Sequence, residues 1–192
     1  MFRRHIYFFV YKIVSRYIYK HFFRHIGRNS RIVRPLSLKG CSLMSIGENV
    51  LINEDAFWIA IDNDEHTGIQ IGDGCKVGHY SHLVSQKNII IEENVLIADR
   101  VFISDCNHNF EDIMTPIIDQ GIYYSGNVKI GEATWIGENV CICGSSVGKH
   151  CVIGANSVVA TDIPDYCVAV GNPARVIKKY DFASQKWVKL DS

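Results

Sequence analysis

The sequence predicts an all-β solenoid built from six-residue repeats, and three features of the chain indicate it. Fourteen hexads can be aligned, and each of them begins with Ile, Leu or Val. Seven of the fourteen carry Gly at the second position, and the fifth position mostly holds a small or β-branched residue. A six-residue period matches neither the α-helix nor a plain strand alternation. It fits a short strand that is followed by a tight corner.

The first residues of the hexads mark the side of each expected strand that is buried. They are Ile46 and Ile52; Ile71, Val77 and Leu83; Ile91, Ile97 and Ile103; Ile130, Ile136 and Ile142; and Val147, Ile153 and Val159. Three hexads close one triangular coil, and parallel ladder bonds stack successive coils about 4.8 Å apart. Gly at the second position and Asn or Asp near the corners tolerate the dihedrals that such bends require.

Several regions depart from the repeat and define the expected domains. Residues 1–30 form a basic, aromatic-rich arm that we expect to be helical, and residues 31–173 form the β-helix. Residues 58–70 are expected to be about one coil with a polar bulge, whereas residues 109–127 form a longer excursion. A long loop that leaves a regular solenoid is usually functional. Residues 174–192 are expected to form a short amphipathic helix that caps the last coil.

The net charge of zero conceals an asymmetry between the arm and the body. Residues 1–47 contain ten Lys and Arg side chains and no acid, so the rest of the chain carries all twenty Asp and Glu. A basic, aromatic-rich segment is typical of contact with an anionic surface. Residues 1–26 therefore either lie at a membrane surface or pack on the protein itself as an N-terminal cap. No known nucleic-acid module accompanies the charge, so we expect no nucleic-acid partner.

Hydropathy and cysteine usage indicate the cellular compartment of the protein. The longest apolar run of the arm, Ile6–Tyr11, is far shorter than the ~20 residues that span a bilayer, and no signal-peptide cleavage pattern follows it. Seven irregularly spaced Cys residues argue against a disulfide framework. We therefore expect a cytoplasmic protein, at most peripheral at the inner face of the membrane. Cys141 and Cys143 have no second Cys or His pair at ligand spacing, so we expect no metal.

His108 is the histidine best placed for chemistry. It stands in the segment SDCNHN, residues 104–109, where the chain leaves its coil. A base at the mouth of a loop has access to solvent, and the neighbouring carboxylate of Asp105 is placed to orient its ring. A solvated or membrane-facing role is expected for the histidines of the arm, His5, His21 and His25. His66 lies in the polar bulge, and plain exposure is expected for the coil histidines His79, His82 and His150.

Two stretches of the chain resemble the hexapeptide-repeat acyltransferases. The first is HNFED at residues 108–112 with TPI at 115–117, and the second is GANSVV at 154–159 with GNPARVIK at 171–178. Together they are similar to the lipopolysaccharide and exopolysaccharide O-acetyltransferase branch and to the maltose and galactoside O-acetyltransferases. The resemblance covers roughly residues 45–180. It implies a left-handed parallel β-helix and a homotrimer with active sites between subunits.

The resemblance implies transfer of an acetyl group from acetyl-CoA to a hydroxyl of a sugar or glycan, such as a surface polysaccharide or lipopolysaccharide precursor. His108 is then the general base in a direct transfer without an acyl-enzyme, so Cys106 and the other thiols need not act as nucleophiles. The oxyanion needs an N–H donor, and this chain has Gly78 where the galactoside enzymes have Asn. Three residues are expected to orient the base or line the acceptor site: Asp105, Asn107 and Trp135.

The resemblance also assigns positions to the acetyl-CoA site. The pantetheine arm is expected to lie along Ala155, Ala160 and Thr161, and Glu138 replaces a small residue on the same wall. Arg175 and Lys178 are expected to meet the CoA phosphates, because cations bind phosphate oxygens through charge-assisted hydrogen bonds.

Three other functions share parts of this pattern. Acylation of an amino group, on an amino sugar or an antibiotic, would use the same residues. A γ-type carbonic anhydrase has the same β-helix and needs three His around zinc, but His79, His82 and His108 lack its spacing. A non-catalytic β-helix scaffold would show no acyl transfer and no effect of changing His108.

Overall fold

A single α-helix precedes a solenoid of six coils in the computed structural model, which describes residues 2–61 and 68–190. Helix α1 spans Phe2–Tyr17, and a short 3-10 turn at Tyr19–His21 joins it to the first coil. Each complete coil contributes one short strand to each of three sheets, the first, second and third sheet, in that order. The three sheets are the sides of a triangular solenoid, and parallel pairing joins each coil to the next.

The strands are short and follow one another in the same order in every coil. The first four coils contain β1 (His25–Ile26), β2 (Arg31–Ile32) and β3 (Ser37–Lys39); β4 (Met44–Ile46), β5 (Leu51–Ile52) and β6 (Phe57–Ala60); β7 (Gly68–Ile71), β8 (Lys76–Val77) and β9 (His82–Ser85); and β10 (Asn88–Ile91), β11 (Leu96–Ile97) and β12 (Phe102–Ser104). A projecting hairpin follows, with β13 (Cys106–His108) and β14 (Ile122–Tyr124). The remaining strands are β15 (Val128–Ile130), β16 (Trp135–Ile136), β17 (Cys141–Cys143), β18 (Val152–Ile153), β19 (Val158–Val159), β20 (Cys167–Gly171), β21 (Ala174–Asp181) and β22 (Lys186–Lys189).

The core is a stack of mostly aliphatic side chains that the coil strands contribute, as the hexads predict. In the first sheet Ile46, Ile71, Ile91 and Ile130 occupy the same register position in successive coils, and all four are buried. Because each coil places an aliphatic side chain above the one before it, the apolar column runs along the whole solenoid. This burial is the main stabilising contribution to the repeat.

The corners of the coils depend on left-handed backbone and on close approach of glycine. Asn49, Asn94 and Asn139 have positive φ values of 57°, 57° and 56°, which Asn tolerates better than most residues. Gly131 serves the second requirement, because a Cβ there would lie 2.4 Å from the backbone nitrogen of Lys149 in the next coil. The repeat positions of Gly and Asn therefore have separate physical causes.

The solenoid begins earlier than the sequence predicts. We expected an arm over residues 1–30, but the helix ends at Tyr17 and β1 already pairs with β4 from His25 onward. The first coil lies within the acid-free segment, whose basic composition masks the repeat. Its signal is nevertheless present, since Ile26, Ile32 and Leu38 are six residues apart.

The segment expected to be an excursion has secondary structure of its own. It leaves the fourth coil after Ser104 and returns at Val128, so it is slightly longer than the predicted residues 109–127. For the predicted bulge at 58–70, the described part consists of ordinary coil strand at Phe57–Ala60 and Gly68–Ile71. Residues 62–67, which include His66, lie outside the described residues.

The expected C-terminal helix over residues 174–192 is wrong. β21 pairs antiparallel with β20, and β22 pairs antiparallel with β21, so the chain ends in a C-terminal β-hairpin at the edge of the second sheet. The β-branched and aromatic residues of this segment favour strand. The last parallel strand also offers an unpaired edge, which the hairpin covers. Neither helix α1 nor any shorter helix in the described residues is long and apolar enough to cross a membrane.

Candidate active site

His108 lies on the projecting hairpin formed by β13 and β14. The two strands are antiparallel, with His108 opposite Ile122, and the Asn109 N–H donates to the Gly121 carbonyl at 3.0 Å. Asn107 and His108 are both exposed. The hairpin therefore presents an imidazole to solvent on a backbone that hydrogen bonds hold in place, which is what a general base requires.

Side-chain hydrogen bonds close the loop at the tip of the hairpin. The Gln120 amide donates to the carbonyl oxygens of Asp112 at 2.8 Å and Thr115 at 2.7 Å. The Asp112 carboxylate accepts from the Thr115 hydroxyl at 2.7 Å and from the Met114 N–H at 2.9 Å. These bonds lower the pKa of Asp112. Three apolar side chains of the tip are exposed, at 93%, 85% and 83%: Ile113, Met114 and Ile118.

Asp105 anchors the base of the hairpin, and the expected orienting role at His108 is wrong. Its buried carboxylate accepts hydrogen bonds from the N–H groups of Gln86 at 2.6 Å and Lys87 at 2.8 Å, and from the Ser85 hydroxyl at 3.3 Å. Across residues 2–61 and 68–190, no hydrogen bond joins Asp105 to His108. The physical reason is direction: the carboxylate points into the corner of the preceding coil, whereas His108 lies on the projecting strand.

Cys106, which lies between Asp105 and His108 in the sequence, is buried. Burial raises the pKa of the Cys106 thiol, and the Ser104 hydroxyl donates to the Cys106 carbonyl oxygen at 2.8 Å. A thiol that stays protonated is a poor nucleophile. The geometry therefore agrees with chemistry at His108 and not at the adjacent sulfur.

The corner after Gly78 is committed to contacts within the solenoid. The His79 N–H donates to the Asp99 carboxylate at 2.8 Å, and the His79 imidazole lies 3.1 Å from that carboxylate and 2.9 Å from the carboxylate of Glu54. This corner joins the second and third sheets, whereas the projecting hairpin leaves the corner between the third and first sheets. Within one chain, the position aligned with the oxyanion donor is therefore remote from the hairpin.

The three histidines considered for zinc do not converge. His79 lies at the corner just described, and His82 packs edge-on between Phe57 and Phe102 with ring centroids at 4.8 Å and 5.1 Å. Burial lowers the pKa of His82. In the part of the chain that the structure describes, no three His, Cys, Asp or Glu side chains stand together as a metal site would require.

Trp135, Arg175 and Lys178 share the outer face of the second sheet. Trp135 is in register with Val152, which is in register with Val168, and Val168 lies opposite Lys178. Arg175 lies opposite Val170, two residues further along the same strand. The structure thus brings together the expected aromatic wall and the two expected phosphate-binding cations.

An aromatic groove of about 550 Å³ lies on this face. It is formed by the last two coils and the C-terminal hairpin, and its aromatic lining is Trp135, His150, Tyr166, Tyr180, Phe182 and Trp187. The sequence predicts only Trp135 as a site residue. The others lie between 15 and 52 residues after Trp135 in the chain, and the antiparallel hairpin, which was expected to be a helix, brings its three aromatic residues to the coil residues.

The remaining expected site residues lie at two different corners. Glu138 and Ala155 are at successive corners between the second and third sheets, where the Asn156 N–H donates to the Glu138 carbonyl at 2.8 Å and the Glu138 carboxylate pairs with Arg100. Ala160 and Thr161 follow β19 at the corner between the third and first sheets, and both are exposed. This is the corner from which the projecting hairpin leaves two coils earlier.

Known proteins are similar to this chain in sequence and in fold. The family described as bacterial transferase hexapeptide (six repeats) matches residues 127–161. The chain is also 36% identical over 174 residues to WbbJ of Escherichia coli (strain K12), which covers 84% of this chain and 85% of that protein. The chain belongs to the hexapeptide-repeat transferase family. WbbJ is named as a lipopolysaccharide biosynthesis O-acetyl transferase, and the predicted enzyme class, an acyltransferase, is confirmed.

Two solved structures have the same fold. AntD, an N-acyltransferase from Bacillus cereus in complex with dTDP-4-amino-4,6-dideoxyglucose and coenzyme A, has a TM-score of 0.74 at 22% identity, over 88% of this chain and 91% of that one. The hexapeptide-repeat acetyltransferase VCA0836 of Vibrio cholerae, with bound acetyl-CoA, has a TM-score of 0.62 at 21% identity, over 91% and 85% of the chains. These likenesses imply the left-handed winding that the resemblance predicts.

Proposed function

We propose that this hexapeptide-repeat acyltransferase transfers an acetyl group from acetyl-CoA to a hydroxyl of a sugar or glycan, such as a surface polysaccharide or lipopolysaccharide precursor. The observation that carries the proposal is the exposed imidazole of His108 on the projecting hairpin, at the same corner as Ala160 and Thr161. The assignment of WbbJ to O-acetyl transfer supports a hydroxyl acceptor.

In the proposed reaction His108 acts as general base. Its unprotonated ring nitrogen accepts the proton of the acceptor hydroxyl while the acceptor oxygen bonds to the thioester carbon. The tetrahedral intermediate then collapses, the carbon–sulfur bond breaks, and the imidazolium returns its proton to the leaving thiolate. Because the acceptor attacks directly, no covalent bond to the enzyme forms, which agrees with the buried, protonated thiol of Cys106.

The residues that would hold acetyl-CoA have chemistry suited to its parts. Ala160 and Thr161 are small and exposed, so a narrow pantetheine arm can run along their backbone. Arg175 and Lys178 share one outer face and offer cations to phosphate oxygens. Glu138 carries the opposite charge, but its ion pair with Arg100 neutralises it locally.

We propose that the working enzyme is a homotrimer with each active site between two subunits. Within one chain, the corner with His108 and the outer face with Trp135 belong to different sides of the solenoid. A neighbouring subunit can bring one set of residues to the other. The exposed apolar tip residues Ile113, Met114 and Ile118 supply surface that a neighbour would cover.

Acylation of an amino sugar is the second candidate function, because the AntD complex holds an amino sugar nucleotide together with coenzyme A. The same imidazole would then accept a proton from the amine. We propose a cytoplasmic location for either reaction. All seven cysteines are free thiols, as is usual in a reducing compartment.

An acceptor screen with acetyl-CoA tests the proposal. Released CoA thiol is followed with hydroxyl sugars, amino sugars and lipid-linked glycans, and mass spectrometry locates the acetyl group on oxygen or nitrogen. We expect His108→Ala to lower kcat about 10²- to 10⁴-fold, as for loss of a general base. The matched control is His25→Ala, which removes an exposed histidine of the first coil.

Equal rates for His108→Ala and the wild type would remove His108 as the base. The absence of transfer to every acceptor, with no acetyl-CoA binding by calorimetry, would favour the non-catalytic scaffold. Transfer to nitrogen alone would replace the hydroxyl acceptor by the amino sugar.

A further inference from the structure

Helix α1 covers the open end of the first coil with one of its faces. The buried hydroxyl of Ser15 accepts a hydrogen bond from the Ile32 N–H at 2.9 Å. Tyr11, one turn earlier, is half-buried on the same face. This face covers the end of the solenoid, as the terminal coil of a repeat protein requires.

The opposite face of α1 is exposed and apolar. Phe9, Ile13 and Tyr17 are four residues apart, so they form one stripe along the helix, and they are 62%, 44% and 58% exposed. Ile18 and Phe22 continue the exposed apolar surface past the end of the helix. A stripe of this size is unusual on a surface that faces only water.

A row of cations runs beside the apolar stripe. Lys12, Arg16 and Lys20 are also four residues apart, and together with Arg28 they line a pocket of about 190 Å³. Arg28 also forms an ion pair with Glu48 at 3.0 Å. The charged side chains among the described lining residues are these four cations, so the pocket suits an anion of the size of a phosphate group.

We propose that this basic-aromatic face docks on a lipid bilayer that contains anionic headgroups. The apolar stripe enters the headgroup region, and Lys12, Arg16, Lys20 and Arg28 bind lipid phosphates. An exposed apolar stripe flanked by cations is the pattern of a helix that lies in the interface plane. Nucleic acid would neutralise the cations but would not cover the aliphatic and aromatic stripe. Contact with the same face of a second copy would bring like charges together. The inference goes beyond the proposed acyl transfer and does not depend on it.

Vesicle flotation of the full chain tests this inference. Phosphatidylcholine vesicles are compared with vesicles that also contain phosphatidylglycerol, and we expect binding only to the second kind. Replacing three cations of the row, Lys12→Gln, Arg16→Gln and Lys20→Gln, should weaken partitioning about 100-fold, since each cation near an anionic surface contributes roughly fivefold. Phe9→Ser with Ile13→Ser should weaken it about tenfold or more.

A triple variant at the other end of the molecule is the matched control. Lys179→Gln, Lys186→Gln and Lys189→Gln removes the same charge from the exposed C-terminal hairpin, and we expect unchanged flotation. Thermal unfolding confirms that each variant is folded. If the helix variants do not fold, Phe22→Ser takes their place, because Phe22 is exposed outside the helix.

Four outcomes would overturn the inference. The first is equal flotation with neutral and anionic vesicles, or none with either. The second is an equal loss in the control variant, which would indicate charge without a specific face. The third is complete release by millimolar inorganic phosphate, which would assign the pocket to a free anion. The fourth is a change in oligomeric state on Phe9→Ser with Ile13→Ser in the absence of lipid, which would make the stripe a contact between copies of the chain.

Discussion

The coils and the projecting hairpin are held together by different forces. In the coils, equivalent register positions repeat along the solenoid, so buried apolar columns and parallel ladders support the inner strands of each sheet from both sides. Among the described residues, strands β13 and β14 of the projecting hairpin form a two-stranded sheet of their own and pair with no strand of the coils. The hairpin relies on a two-stranded ladder, on the buried carboxylate of Asp105 and on the side-chain bonds of Gln120. Stability therefore belongs to the coils, and the proposed chemistry belongs to the hairpin.

Loss of a large core side chain should affect stability without affecting the chemistry. Trp58 is fully buried in the second coil, and its indole N–H donates to the Ser81 hydroxyl at 3.1 Å. We expect Trp58→Ala to lower the free energy of unfolding by about 3–5 kcal/mol, because it leaves a cavity and an unpaired hydroxyl. Urea unfolding at fixed protein concentration measures the loss, and kcat per folded enzyme should stay within about twofold.

Trp187→Ala is the control for this substitution. Trp187 is exposed on the C-terminal hairpin, so its removal should cost little stability, about 1 kcal/mol or less. A large loss of kcat per folded enzyme in Trp58→Ala would show that the coil core also shapes the catalytic hairpin, and the division between the two regions would fail.

Asp105→Asn should produce the reverse result. The amide keeps the shape of the carboxylate, but its nitrogen cannot accept a hydrogen bond. It can therefore keep only one of the two bonds that the N–H groups of Gln86 and Lys87 donate to the carboxylate. We expect a local cost of about 1–3 kcal/mol, which opens the hairpin without unfolding the coils. Hydrogen exchange should therefore accelerate at the amides of Asn109 and Ser125, which bond Gly121 and Asp105, while the global unfolding midpoint changes little.

The acyl-transfer rate of Asp105→Asn should fall several-fold, because His108 becomes more mobile. Asp119→Asn, an exposed acid of the same loop, should leave both exchange and rate unchanged. Uniform acceleration of exchange in coils and hairpin alike would mean that Asp105 supports the whole solenoid.

The same division explains how much the sequence could predict. A repeated environment produces a repeated residue choice, so the period of six identified the coils from Ile46 to Val159 and the excursion between them. The prediction stopped short at the first coil, where Ile26, Ile32 and Leu38 keep the period in a segment dominated by cations.

The features that the sequence did not predict depend on the direction of single side chains. Adjacency in the chain suggested that Asp105 orients His108, but the Asp105 carboxylate accepts its hydrogen bonds from Gln86 and Lys87 of the preceding coil. Residues 174–192 were expected to form a helix, whereas the unpaired edge of β20 favours a strand. The aromatic groove followed from that pairing, so it could not be predicted without it.

The smallest expected effect is a pH dependence of stability that belongs to the coils. Burial between Phe57 and Phe102 lowers the pKa of His82 below the ordinary value of 6.5. The unfolded chain therefore binds a proton at higher pH than the folded chain does, so stability is fully present above about pH 6.5 and decreases as the pH falls below it. Because His82 is partly exposed, we expect less than about 1 kcal/mol.

His82→Phe tests this origin of the pH dependence. The Phe ring continues the aromatic stack and cannot be protonated. The decrease in the urea midpoint between about pH 7 and pH 5 should therefore be smaller than in the wild type. His25→Phe, at an exposed position of the first coil, should leave the decrease unchanged. If His82→Phe preserves the full decrease, then the acid-sensitive group lies elsewhere. If instead hydrogen exchange in the hairpin changes with His82→Phe, the outer face of the third sheet is coupled to the catalytic hairpin, and the two regions are less independent than their contacts indicate.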